Sequence, residues 1–109
     1  MFVYYEDVDF SYRVRRAGYE IALVPSAVVA HKVSAVLGKR GTNRYTTVQA
    51  FYVGRNKVLF ARKHLHGRQK LSFLLATATL GLAEVIKRPA TLSAPLSYMR
   101  GLIEGVRAA

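Results

Sequence analysis

Three of the six acids in this chain, Glu6, Asp7 and Asp9, fall within four residues of one another. Carboxylates this close repel, and one with raised proton affinity would suit removal of a proton from a hydroxyl near neutrality. The same spacing also reads as a helix N-terminus decorated with acids, each contributing about 0.3–1 kcal/mol against the macrodipole. His31 closes the small apolar run Ala27-Val28-Val29-Ala30, where a chain would leave a sheet. A neutral imidazole there, with a carboxylate, suits a divalent cation such as Mn²⁺ or Mg²⁺; a hydrogen-bonded edge histidine is the other reading. Arg55 follows Phe51 by four residues and Tyr52 by three, on the apolar side of a helical pattern. If buried, its guanidinium needs a phosphate or a carboxylate from the Glu6–Asp9 cluster or Glu20; if not, it snorkels to water. Tyr52 and Asn56 flank it with further polar groups.

These residues must be positioned by elements that the pattern outlines. Phe2-Val3-Tyr4-Tyr5 is β-branched and aromatic, and suits a strand or an extended lead-in. A helix is predicted from Glu6 or Asp7, with Arg13, Arg15 and Arg16 towards its C-terminal end and Gly18 as the left-handed residue that stops it. Tyr19 to Val24 and Ala27 to Val33 read as two short strands around the turn pair Pro25-Ser26. Residues 38–47 read as a loop. Helical periodicity returns from Val48 to about His64, with Val48, Phe51, Tyr52, Val58 and Leu59 on one side, and His66-Gly67 breaks it. A second helix is predicted from Gln69 to about Arg88, with Pro89 beyond its end. A third, from about Leu92 to Val106, carries Leu96, Met99, Leu102, Ile103 and Val106 on a stripe. The first third is thus α/β and the rest helical, with a boundary near residue 40.

Length and charge bound the possibilities. A chain of 109 residues makes one domain at most, and an apolar fraction of 51% argues against global disorder. Without cysteine it has neither disulfide framework nor thiolate metal site. Seventeen Lys and Arg against six acids give +11, which points to an anionic partner. No acid separates Glu20 from Glu84, while ten Lys and Arg fall between them, so an acidic point precedes a long basic field. The longest uncharged stretch, Leu71 to Ala83, is too short to span a bilayer and long enough to lie in its interface.

Four ordered motifs, Phe2-Val3-Tyr4-Tyr5-Glu6-Asp7-Val8-Asp9-Phe10-Ser11-Tyr12-Arg13, Arg16-Ala17-Gly18-Tyr19-Glu20-Ile21, Val24-Pro25-Ser26-Ala27-Val28-Val29-Ala30-His31 and Tyr52-Val53-Gly54-Arg55-Asn56, resemble the C-terminal part of family 2 glycosyltransferases. The likeness is to rhamnosyltransferase-like and galactofuranosyltransferase-like members with the GT-A fold, and it covers roughly residues 1–64. It implies an α+β fragment: a short helix and two strands from the end of a GT-A domain, followed by a mainly helical part. Residues 1–40 would be the acceptor-side segment and 41–109 the helical region.

By the same resemblance Asp7 matches the base that deprotonates an acceptor hydroxyl. Glu6 and Asp9 belong to the acceptor site, Asp9 and Arg13 also matching positions that brace the helix. His31 matches a histidine that holds the divalent metal on the donor diphosphate. Arg55 and Asn56 match an Arg-Asn pair that orients the acidic loop or a phosphate. The implied partners are a nucleotide-sugar donor and a glycan or lipid-linked acceptor. The family's nucleotide-binding half and its Asp-X-Asp motif are not found in these residues, which implies a fragment inactive by itself.

Two further readings accompany this one. A basic nucleic-acid module, with Tyr45, Phe51 and Tyr52 between cations, accounts for +11 but leaves Glu6–Asp9 and His31 without a role. The apolar helix beside many cations suits an anionic cytoplasmic leaflet, hence a peripheral position at the inner face of the plasma membrane; packing on itself or on a second copy is the alternative.

Overall fold

The computed structural model describes residues 4–30 and 44–108. Its elements are helices α1 (Glu6–Arg16), α2 (Thr47–His64), α3 (Gly67–Ala76), α4 (Leu82–Lys87) and α5 (Ala94–Arg107), with a π-helical turn, Thr77–Gly81, joining α3 to α4. Each boundary has a local cause. In α1 the acids Glu6, Asp7 and Asp9 occupy the first turn, and three arginines lie in the last. Gly18, at φ 88°, stops it: Gly18 N donates to Arg15 O and Tyr19 N to Val14 O, a Schellman arrangement. Thr46 opens α2 with a capping box, its hydroxyl accepting from Gln49 N while the Gln49 side chain accepts from Thr46 N.

The α+β expectation is overturned. Among the described residues there is no strand, only an isolated bridge between Tyr45 and Pro89. The turn at Pro25-Ser26 forms, closed by Ala27 N to Val24 O, but residues 19–30 are irregular and exposed, with Val28 at 95% and Leu23 at 90%. β-propensity describes fit to a pleated, half-buried surface. Among the described residues no neighbouring strand completes a ladder with this segment. Residues 31–33, the end of the second predicted strand, lie outside the described residues. Tyr4 and Tyr5, read as extended, instead adopt positive φ of 60° and 71°.

The fold is built around α2 and α5, which cross at very short range. The face of α5 that packs is Ala94, Ser97, Tyr98, Gly101 and Gly105, opposite Ala50, Gly54 and Val58 of α2. Its apolar stripe is on the other side: Leu96, Met99, Ile103 and Val106 are exposed. Small residues allow backbones to approach where leucines would hold them apart. The far end is tied by Arg62, whose Nη1 donates to the carbonyls of Gly105 (2.9 Å), Val106 (3.0 Å) and Ala108, satisfying α5's terminal acceptors.

Tyr98 ties the π-helical turn between α3 and α4 to this pair. It is fully buried, and its hydroxyl donates to Thr77 O (2.8 Å) at the π-helical turn, where Gly81 leaves room for the ring. A π-turn breaks the regular i to i−4 ladder, and the tyrosine supplies the carbonyl with a partner. Burial pushes the Tyr98 phenol up to about 12, so the donor proton is retained throughout the ordinary pH range. Tyr98→Phe is expected to lower stability by about 1–2 kcal/mol, read as a shift in the urea midpoint with unchanged helical circular dichroism.

The segment Gly67–Lys87 is continuous, 21 residues, and by length and composition apolar enough to cross a membrane. The uncharged stretch legible in the sequence covers only Leu71–Ala83. The helix extends past both ends because Arg68, Lys70, Glu84 and Lys87 are good helix formers.

Candidate functional site

The acidic cluster sits where α1 meets the C-terminal half of α2. Tyr5 and Tyr12 both set their rings edge-on to Phe60, at 5.5 Å and 5.3 Å between centroids, and Phe60 in turn contacts His64 and Phe73. Under this aromatic cluster lies Asp9, which is 7% exposed. His64 Nε2 meets its Oδ1 at 2.5 Å, Lys63 Nζ donates to both oxygens at 3.1 and 3.2 Å, and Arg13 Nε donates to Oδ2 at 3.0 Å. With the carboxylate ionised, Nε2 carries the proton of the His64 contact.

Burial by itself would raise the Asp9 carboxyl, but the hydrogen bonds from His64, Lys63 and Arg13 outweigh it and hold the group down to about 2. This is the reverse of the rise that repulsion within the cluster predicts. Because the folded value lies below the ordinary 3.8, the stabilisation is fully present above about pH 4 and is lost as pH falls through about 2. It is worth about 2 kcal/mol. Urea midpoints measured from pH 5 to pH 2 should fall in the parent, while Asp9→Asn should start lower and show a flatter acid limb.

Asp7 and Glu6, by contrast, are exposed, and among the described residues neither forms an ion pair. Asp7 Oδ1 accepts from Val8 N (2.8 Å), which leaves Oδ2 open to an incoming group. Asp7, Val8, Ser11, Tyr12 and Arg15 line a shallow hollow of 330 Å³. The charge of Asp7 also reaches Tyr5, whose phenol is raised first by burial and second by that carboxylate.

The backbone that presents these acids is held in an unusual conformation. Two consecutive tyrosines at positive φ cost of order 1–3 kcal/mol each and persist only when their surroundings over-determine them. Here Asn56, itself 1% exposed, donates from Nδ2 to Tyr4 O (2.9 Å), and Tyr5 is pinned against Phe60. Two clefts flank this ridge. One, of 340 Å³, is lined by Tyr4, Arg44, Tyr45, Gln49, Val53, Glu84 and Arg88; the other, of 280 Å³, includes Tyr5, Lys57, Phe73, Thr77 and Glu84. Burial lowers the Lys57 ammonium, and Glu84 partly offsets this.

The structure therefore gathers Glu6, Asp7, Asp9, Arg13 and Asn56 at one junction, with Asp9 buried and paired and Glu6 and Asp7 exposed. Arg55 stays apart: it is half-buried and its Nη1 reaches Asn56 Oδ1 at 3.5 Å, not the acidic cluster. His31 lies outside the described residues. Among those described, no three His, Asp or Glu side chains gather as a metal set, and both Asp9 oxygens are already taken. Sequence reading placed Lys63 only in the basic field and did not single out His64. Both lie more than fifty residues from Asp9, and no local spacing connects them.

Comparison of the chain with protein families, with curated proteins and with solved structures returned no match.

Proposed function

We propose that this chain is the acceptor-side portion of an inverting glycosyltransferase, with Asp7 as the base that takes the proton from an acceptor hydroxyl. The observation that carries the reading is the division of the acid cluster. Asp9 is committed to locking α1 onto α2, and the consequence is a fixed first turn from which Asp7 and Glu6 face solvent. In this reading Asp7 Oδ2 accepts the proton of the acceptor hydroxyl as the hydroxyl oxygen attacks the anomeric carbon, and the nucleoside diphosphate departs from the opposite face with the bond electrons. Glu6, one residue away, holds a neighbouring acceptor hydroxyl. Asn56 and the Tyr5–Phe60 contact act as positioning groups that set the height of the carboxylates above α2.

A divalent ion belongs to the same proposal through His31, but the described residues assemble no ligand set for it, and no step is derived through it. The test is transfer from a nucleotide sugar by the full-length protein carrying these residues, parent against Asp7→Asn. Near-parental turnover in the variant overturns the assignment.

A further inference from the structure

Among the described residues, the helix Gly67–Lys87 packs against the rest of the chain along one side. Thr77 and Val85 are buried, whereas Leu71, Leu75, Leu80 and Ile86 are 60%, 57%, 72% and 56% exposed. From Leu71 to Ala83 the exposed side carries no charge, a length of about 20 Å at the helical rise. Arg68 and Lys70 lie at one end of it and the exposed Lys87 at the other, where the neighbouring Arg88 is paired with Glu84 at 3.4 Å. We infer that this face docks on an anionic lipid surface, with the helix lying parallel to the bilayer, its leucines at the acyl boundary and its terminal cations among the headgroups.

Charge selects this occupant. The chain carries +11, and a second copy placed on the same face would bring two basic surfaces together, whereas anionic headgroups complement the cations at both ends. Packing selects the orientation. The side that carries Thr77 and Glu84 faces a cleft lined also by Tyr5, Lys57 and Phe73, with Leu80 at the border between this cleft and the exposed leucines. Crossing the bilayer would draw both charged groups into hydrocarbon; lying flat leaves them on the aqueous side. This inference stands apart from the glycosyl-transfer reading, and none of the residues it substitutes belongs to that reading.

The test is co-sedimentation of the 109-residue chain with phosphatidylcholine vesicles and with equal mixtures of phosphatidylcholine and phosphatidylglycerol. Binding to the mixed vesicles only, weakening with added salt, is the expected result. Leu75→Asp should weaken it about tenfold or more with helical circular dichroism unchanged, and Lys87→Gln about fivefold. The chain has no Trp, so Leu75→Trp provides a fluorescent reporter. The emission of this variant should shift to the blue and be quenched by brominated acyl chains, while Leu23→Trp, at an exposed site away from the helix, should not respond. Equal binding by Leu75→Asp, emission from Leu75→Trp that is indifferent to lipid, or a self-associated species unaltered by vesicles would each overturn the proposal.

Discussion

Asp7→Asn is expected to reduce glycosyl transfer by about 10²–10⁴-fold, the range a positioned general base contributes, with donor affinity unchanged. The same substitution should lower stability by no more than about 0.3–1 kcal/mol, the contribution of a first-turn charge against the macrodipole. Asp7 is exposed, takes part in no ion pair among the described residues, and its single bond to Val8 N can be kept by the asparagine oxygen. Asp9→Asn, two positions on, should behave in the opposite way at the level of folding, because it removes the ionised partner of His64, Lys63 and Arg13. The proposal thus assigns chemistry to Asp7 and architecture to Asp9 within one helical turn. Loss of turnover with a nearly unchanged midpoint in the first variant, and a clearly lowered midpoint in the second, is the pattern that the proposal expects.

Gly101→Ala is expected to destabilise the chain by about 3 kcal/mol, at the upper end of overpacking effects. At an exposed helical site the same change would stabilise by up to about 1 kcal/mol, so the sign itself is informative. An added Cβ at Gly101 would fall on the Phe51 carbonyl oxygen, 2.9 Å from Phe51 C and 3.0 Å from Arg55 N. All three are main-chain atoms of α2, and no rotamer change relieves the clash. The helices must move apart, which strips contacts from Tyr98 and Ala94, both fully buried. Chemical denaturation of the variant beside the parent measures the effect; a midpoint equal to or above the parent's would show that α2 and α5 do not meet at this glycine.

Several features of the site are legible without coordinates. The acids at 6, 7 and 9 and the arginines at 13, 15 and 16 mark the two ends of α1, and Gly18 marks its stop, since capping and macrodipole effects act within one turn. The periodic segments that became α2 and α5 and the charge-free run in the third helix could be read in the same way. The strands could not. The sequence of residues 19–30 has β-propensity, but a strand exists only where another backbone completes its hydrogen bonds, and among the described residues none does. The face of α5 that packs was equally hidden: an apolar stripe at helical spacing draws attention to Leu96, Met99, Ile103 and Val106, whereas the contact is made by the small residues between them.

Sequence alone determined the local hydrogen-bonding and charge of each segment: where helices begin and end, that three carboxylates crowd one turn, and that a long basic field leads into a run, Leu71–Ala83, without charge. Tertiary structure decided which carboxylate is consumed and which is presented, that Asn56 rather than Arg55 reaches the Tyr4-Tyr5 backbone, and which faces of α5 and of the Gly67–Lys87 helix remain open. Capping and macrodipole energies are set by neighbours three or four residues away, and these a sequence displays directly. The partners of Asp9 on α2 lie 54 and 55 residues along the chain, and only the packing of α1 on α2 brings them within 3.2 Å.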